Sequence, residues 1–182
     1  MGEQNVEPVT LSEREIVSFR LAERTYALPL SAVVQIIPMV AFTPLPQAHK
    51  AVEGIMNYRG NAALVVNLRR YLDLSEIPLK LHTPIILTRV ESRLLGLIVD
   101  EVLDVITVPV SQAISLTDIV PEGLGSISAL EGVLHNRQDA ILLLDLARLF
   151  AGTPLTLLPD TMGNGSDPHP SPVTEMALEE VF

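Results

Sequence analysis

From Glu15 the chain alternates, with Val17, Phe19 and Leu21 on one side and Ser18 and Arg20 on the other. That is the period of a half-buried strand. The polar turn Ala22-Glu23-Arg24 leads to a second apolar run, Tyr26–Leu28, closed by Pro29 because proline has no N–H to give a ladder. A third run, Val33–Ile37, stops at Pro38, and Pro44 and Pro46 mark a loop before Ile55–Tyr58 and Ala63–Val66. Leu68–Leu72 reads as a short helical turn. The second half follows the same plan, with strands at Ile85–Val90, Leu94–Val99 and Leu103–Val108, the last ended by Pro109. A loop around Gly123-Leu124-Gly125 precedes Val133–Asn136 and Ile141–Leu144. Short strands at this spacing, punctuated by Pro and Gly, predict small all-β barrels or sandwiches.

The two halves are copies. The stretch from Gly54 to Leu72 aligns without gaps to that from Gly132 to Phe150, with identity at Gly54/Gly132, Arg59/Arg137, Ala62/Ala140, Leu64/Leu142, Leu68/Leu146 and Arg70/Arg148. Upstream, Arg24–Ile37 aligns to Arg93–Ile106, pairing Val33 with Val102 and Ile36 with Val105. The offset grows from 69 to 78 residues, so the second copy has gained nine residues in the loop around 107–131. A unit this small buries little surface and is marginal alone. Two such units are expected to pack into one two-barrel body, the first barrel spanning about 15–77 and the second about 83–152.

Charge separates this body from its ends. The chain has 182 residues and a formal charge of −10. Residues 1–13 carry three acids and no base, and residues 153–182 carry five acids and no base. The nearly neutral body offers no phosphate-binding surface, so nucleic acid is not an expected partner. Residues 1–14 read as a flexible arm. Residues 153–182 hold prolines 154, 159, 168, 170 and 172 and read as a flexible acidic tail. The start lacks a basic region followed by an apolar run, and no stretch is apolar enough to span a membrane. A cytoplasmic protein without membrane insertion is expected.

Chemistry finds little support. The chain has no Cys, which removes a thiolate nucleophile and Cys-based metal sites. His49, His82, His135 and His169 stand far apart, and no P-loop, Rossmann fingerprint or nucleophile elbow occurs. No metal or cofactor is expected. Asp100, Glu101 and Asp104 form one tight acidic cluster. It would suit a carboxylate-dependent enzyme, but it reads more simply as a turn followed by a solvated strand face. A regulatory β-barrel that binds a small molecule is the other alternative.

The order of motifs resembles a known family. Tyr26-Ala27-Leu28-Pro29 is followed by Val33-Val34-Gln35-Ile36, then Gly54-Ile55-Met56-Asn57-Tyr58-Arg59-Gly60, Asn67-Leu68-Arg69 and Gly96-Leu97-Ile98-Val99-Asp100-Glu101-Val102. From about residue 15 to 151 the chain resembles the CheW-like adaptor domain of bacterial chemosensory arrays. The resemblance implies an all-β fold of two packed SH3-like five-stranded barrels with short helical turns and no catalysis. It also implies two partners, the cytoplasmic tip of a methyl-accepting chemoreceptor and the regulatory domain of a CheA-type histidine kinase. On this reading Val33, Val34, Gln35, Ile36, Asn57, Arg59 and Gly60 form the binding surface, and Val99, Asp100 and Val102 lie nearer the kinase. Gln35 stands where the family usually has Glu, Leu64 where it often has Pro, and Asn67 where it usually has Asp. Gln35 can still accept a hydrogen bond from Arg59. These departures fit a specialised paralogue, such as one serving pilus motility or a light response.

Overall fold

The computed structural model describes residues 13–116, 129–136 and 139–151. In chain order the elements are β1 (Glu13–Leu21), β2 (Arg24–Pro29), β3 (Val33–Pro38), β4 (Val52–Tyr58), β5 (Asn61–Asn67), α1 (Leu68–Tyr71), β6 (Pro84–Val90), β7 (Arg93–Ile98), β8 (Glu101–Pro109), β9 (Ala113–Ser115), β10 (Leu130–Asn136), β11 (Asp139–Leu144) and α2 (Leu146–Phe150). Prolines 29, 38 and 109 end strands as expected. The expected arm falls in residues 1–14 and the expected tail in 153–182; of these only Glu13 and Arg14, the start of β1, lie within the described residues.

The strands form two sheets, ordered β8-β1-β2-β11-β10-β9 and β3-β6-β7-β5-β4. This corrects the expected division at residues 77 and 83. Strands β1 and β2 of the first copy pair with β8 and β11 of the second. In return, β6 and β7 of the second copy pair with β3 and β5 of the first. Each copy lends its opening hairpin to the other's sheet. Hydrophobic alternation fixes which face of a strand is buried but not which strand lies beside it, so the exchange leaves no mark in the pattern.

The repeat reappears as duplicated geometry. The parallel joint Ala63↔Leu94 between β5 and β7 has its counterpart in Ile141↔Thr25 between β11 and β2. Both glycines of the aligned segment sit where another chain crosses: a Cβ on Gly54 would lie 2.2 Å from the Thr43 carbonyl oxygen, and one on Gly132 would lie 2.7 Å from that of Ile114. In the second copy this crossing extends into β9, whereas in the first it is the single bridge Thr43↔Ile55. That difference makes one sheet six-stranded where five strands were expected. The caps match as well. Asn67 accepts from the backbone N–H groups of Arg69 and Arg70, and Asp145 from those of Ala147 and Arg148, so the amide at 67 does the work of the carboxylate at 145.

Among the described residues, three apolar clusters hold this arrangement. One fills the five-stranded sheet with Met56, Val65, Ile85 and Leu87, and one fills the other with Ile16, Ala27, Ile141 and Leu143. The largest joins the two sheets through Phe19, Leu21, Leu28, Leu64, Val66, Ile86, Leu97 and Leu144. Strand β1 feeds two of them and is therefore buried on both faces from Ile16 to Phe19, not half-buried as its alternation suggested. Ser18 satisfies its hydroxyl at the carbonyl oxygen of Asp104, 2.9 Å away.

Candidate protein-interaction surface

Strand β3 is an edge of the five-stranded sheet, with β6 as its neighbour. Its register against β6 slips between Val33, opposite Thr88, and Gln35, opposite Leu87. This bulge inserts Val34 as an extra residue and re-aims the side chains around it. Leu87 belongs to the cluster inside this sheet, and Ile86, opposite Ile36, belongs to the inter-sheet core. Gln35 is thereby turned to one face while Val33 and Ile36 share the other. Val33 packs against the inter-sheet core, but Val34 and Ile36 remain 43% and 40% exposed. An exposed apolar edge strand invites a partner.

The hairpin joining β4 to β5 presents a cation beside it. Arg59 and Gly60 form its two-residue turn, with φ of +52° and +83°. Such a turn suits Asn-Gly, and an arginine in this conformation costs roughly 1–2 kcal/mol. Gly60 would have room for a side chain, so its backbone angle is what favours glycine. Asn57 Oδ1 accepts from the Gly60 N–H at 2.8 Å and locks the turn. Tyr58 Oη and Arg59 Nη2 both donate to Gln35 Oε1, the latter at 3.5 Å. The guanidinium also lies 5.3 Å from the centre of the Tyr58 ring, within cation–π range. Gln35 and Arg59 therefore meet as the sequence led one to expect. Tyr58 was missed; its signal was an aromatic next to the hairpin arginine in a chain with only 4% aromatic residues.

The second group of expected site residues is placed differently. Val99 is 1% exposed and lies in the inter-sheet core, and Val102 packs against that core. Asp100 accepts two bonds from Arg69, each at 2.6 Å, and one from the Ala22 N–H at 2.7 Å. The Arg69 guanidinium pKa is raised, first by its bond to Asp100, with burial opposing. Asp100 is thus a brace between α1, the β1–β2 turn and the β7–β8 junction. Val99 is therefore a core residue, while Asp100, 16% exposed, is engaged by Arg69 and the Ala22 N–H. The acidic cluster does not converge: Glu101 pairs with Arg20 at 3.0 Å, and Asp104 Oδ1 accepts from the N–H of Val105. A depression of about 570 Å³ lined by Arg20, Glu23, Arg24 and Leu142 contains none of the expected site residues.

The model of the family described as the CheW-like domain matches residues 15–154. The chain belongs to this family. It is 31% identical over 139 residues to the chemotaxis protein CheW of Thermotoga maritima, covering 76% of this chain and 89% of that one. It is 28% identical over 142 residues to the protein FrzA of Myxococcus xanthus, covering 75% and 85%. Its fold is similar to the crystal structure of the scaffolding protein TtCheW from Thermoanaerobacter tengcongensis, with a TM-score of 0.68 and 26% identity over 76% of this chain and 93% of that one.

Within this CheW-like domain the three departures have clear structural roles. Asn67 caps α1 and donates to Glu53 at 2.9 Å. Leu64 is 2% exposed in the inter-sheet core. Gln35 supplies an acceptor without charge, so Arg59 keeps an unneutralised cation: among the described residues it forms no ion pair. Among those residues no helix is long and apolar enough to cross a membrane.

Proposed function

We propose that this CheW-like domain is a non-catalytic chemosensory scaffold whose β3 edge and β4–β5 turn take the helical tip of a chemoreceptor, while the domain also recruits the regulatory region of a CheA-type histidine kinase. The scaffold role follows from the family and from the solved scaffolding protein that shares the fold. The observation that carries the choice of surface is Arg59. It holds a costly positive φ, has no carboxylate partner among the described residues, and bonds through Gln35 to the edge strand that also carries the exposed Val34 and Ile36. A helix running along the open edge of β3 can meet the exposed aliphatic side chains there, and a carboxylate on that helix would supply the charge that Gln35 lacks.

The test is recruitment by the Arg59→Ala variant, measured separately with a receptor-tip fragment and with the kinase regulatory region. An anchoring interface arginine contributes about 2 kcal/mol, so binding of the receptor fragment should fall by roughly thirtyfold. The melting temperature should barely move, because the side chain is exposed. Equal recovery of variant and parent with the receptor fragment removes Arg59 from the site, and loss confined to the kinase arm reassigns the surface.

A further inference from the structure

The connector between the two copies, residues 72–83, lies outside every strand. Leu81 is 88% exposed there, with Ile77 at 45% and Leu79 at 37%. None of the three belongs to any of the apolar clusters. Ile77 and Leu79 stand in the irregular stretch 74–80 and Leu81 in the turn between Lys80 and Thr83, so the three exposed side chains follow one another along the connector as an apolar rail. The rail is tied at both ends. Arg69 donates to the Ser75 carbonyl, the Lys80 N–H bonds to Thr83 Oγ1 at 2.9 Å, and the Thr83 N–H bonds to the Lys80 carbonyl at 2.9 Å.

We propose that the segment Leu155–Leu158 of this same chain covers the rail formed by Ile77, Leu79 and Leu81. The described body ends at Ala151, next to the start of the connector: the Phe150 ring meets that of Tyr71 edge-on at 5.3 Å, and Tyr71 Oη donates to the Leu149 carbonyl. Tyr71 immediately precedes the connector. Seven residues from Ala151 to Leu158 reach about 23 Å when extended, enough to run along the rail. The segment is suited to it. Thr153-Pro154-Leu155-Thr156-Leu157-Leu158-Pro159 is the apolar stretch of the extension nearest to Ala151 and carries no charge, whereas the other, Val173–Phe182, includes three acids; Leu155 and Leu157 repeat the spacing of the rail. Charge agrees as well, because residues 77–83 include Lys80 and no acid, while residues 153–182 include Asp160 and four further acids and no base.

The absence of native cysteine makes a direct test simple. The double variant Leu79→Cys with Leu155→Cys, one residue from each facing row, in the full chain under mild oxidation, should form a disulfide within one molecule. Adding Leu157→Ser and Leu158→Ser should slow that reaction at least tenfold, since only the tether would then bring the two thiols together. Cysteine behaves as a small hydrophobe and Leu79 belongs to no apolar cluster, so the fold should tolerate both substitutions, and an unchanged circular dichroism spectrum checks this. A rate indifferent to the serine substitutions overturns the proposal. Disulfides formed mainly between chains also overturn it and assign the rail to a second copy.

Discussion

Arg59 sets the local conflict on which the functional reading rests. A two-residue hairpin turn with both φ angles positive is best filled by Asn-Gly, yet arginine occupies the first position. Backbone strain of this kind is retained where the side chain is needed. Arg59→Asn should therefore raise stability by about 0.5–1 kcal/mol, because asparagine tolerates the left-handed conformation. In a domain of this size that is a melting temperature higher by roughly 2–4 °C, read by calorimetry. The same variant should lose receptor recruitment as Arg59→Ala does. A variant that is both more stable and fully active would show that the arginine serves nothing at this turn. The meeting of Gln35 with Arg59 was legible in the sequence, because the motif spacing resembled a family in which those positions pair. Asp100 was not. Beside Glu101 and Asp104 it read as part of a solvated turn, whereas its partner is Arg69, 31 residues away and bonded twice. A cluster along the chain says nothing of a partner brought in by folding.

The β-strands themselves were largely written in the alternation and the prolines, because each strand's period and its breakers act locally. What escaped was β9, three residues long, whose existence depends on the chain that crosses it. The paired glycines mark that crossing in both copies. Thr43 and Ile55 exchange two backbone hydrogen bonds of 2.8 Å each, so the Thr43 carbonyl cannot move aside for a methyl group at Gly54. Gly54→Ala should destabilise the protein by about 2–4 kcal/mol, as overpacking against fixed backbone does. Gly132→Ala should cost less, since its clash is milder at 2.7 Å against 2.2 Å. Urea unfolding of the two variants measures both. An unaltered midpoint for Gly54→Ala would mean that the bridge yields easily, and the duplicated glycine would then need another explanation.

At the scale of the whole molecule, the duplication shows in the sequence while the exchange of hairpins does not, and this difference has a measurable consequence. Had each copy closed on itself, residues 15–77 would form a small barrel. In the structure β3 pairs with β6 and β1 with β8, both strands of the other copy. Alone, residues 15–77 keep only the hairpins β1–β2 and β4–β5. The fragment also strips Phe19, Leu21, Leu28, Leu64 and Val66 of their cover from Ile86, Leu97 and Leu144. Two-stranded hairpins are marginal in water, so this fragment should show no cooperative thermal transition by circular dichroism. Residues 83–152 should fail for the mirror-image reason, since β6 loses β3 and β8 loses β1. Produced together, the two fragments should recover one another's missing strands and melt in a single transition, because the inter-sheet cluster and the Arg69–Asp100 brace span the cut. A folded spectrum from residues 15–77 alone would restore the simpler picture of two self-contained barrels.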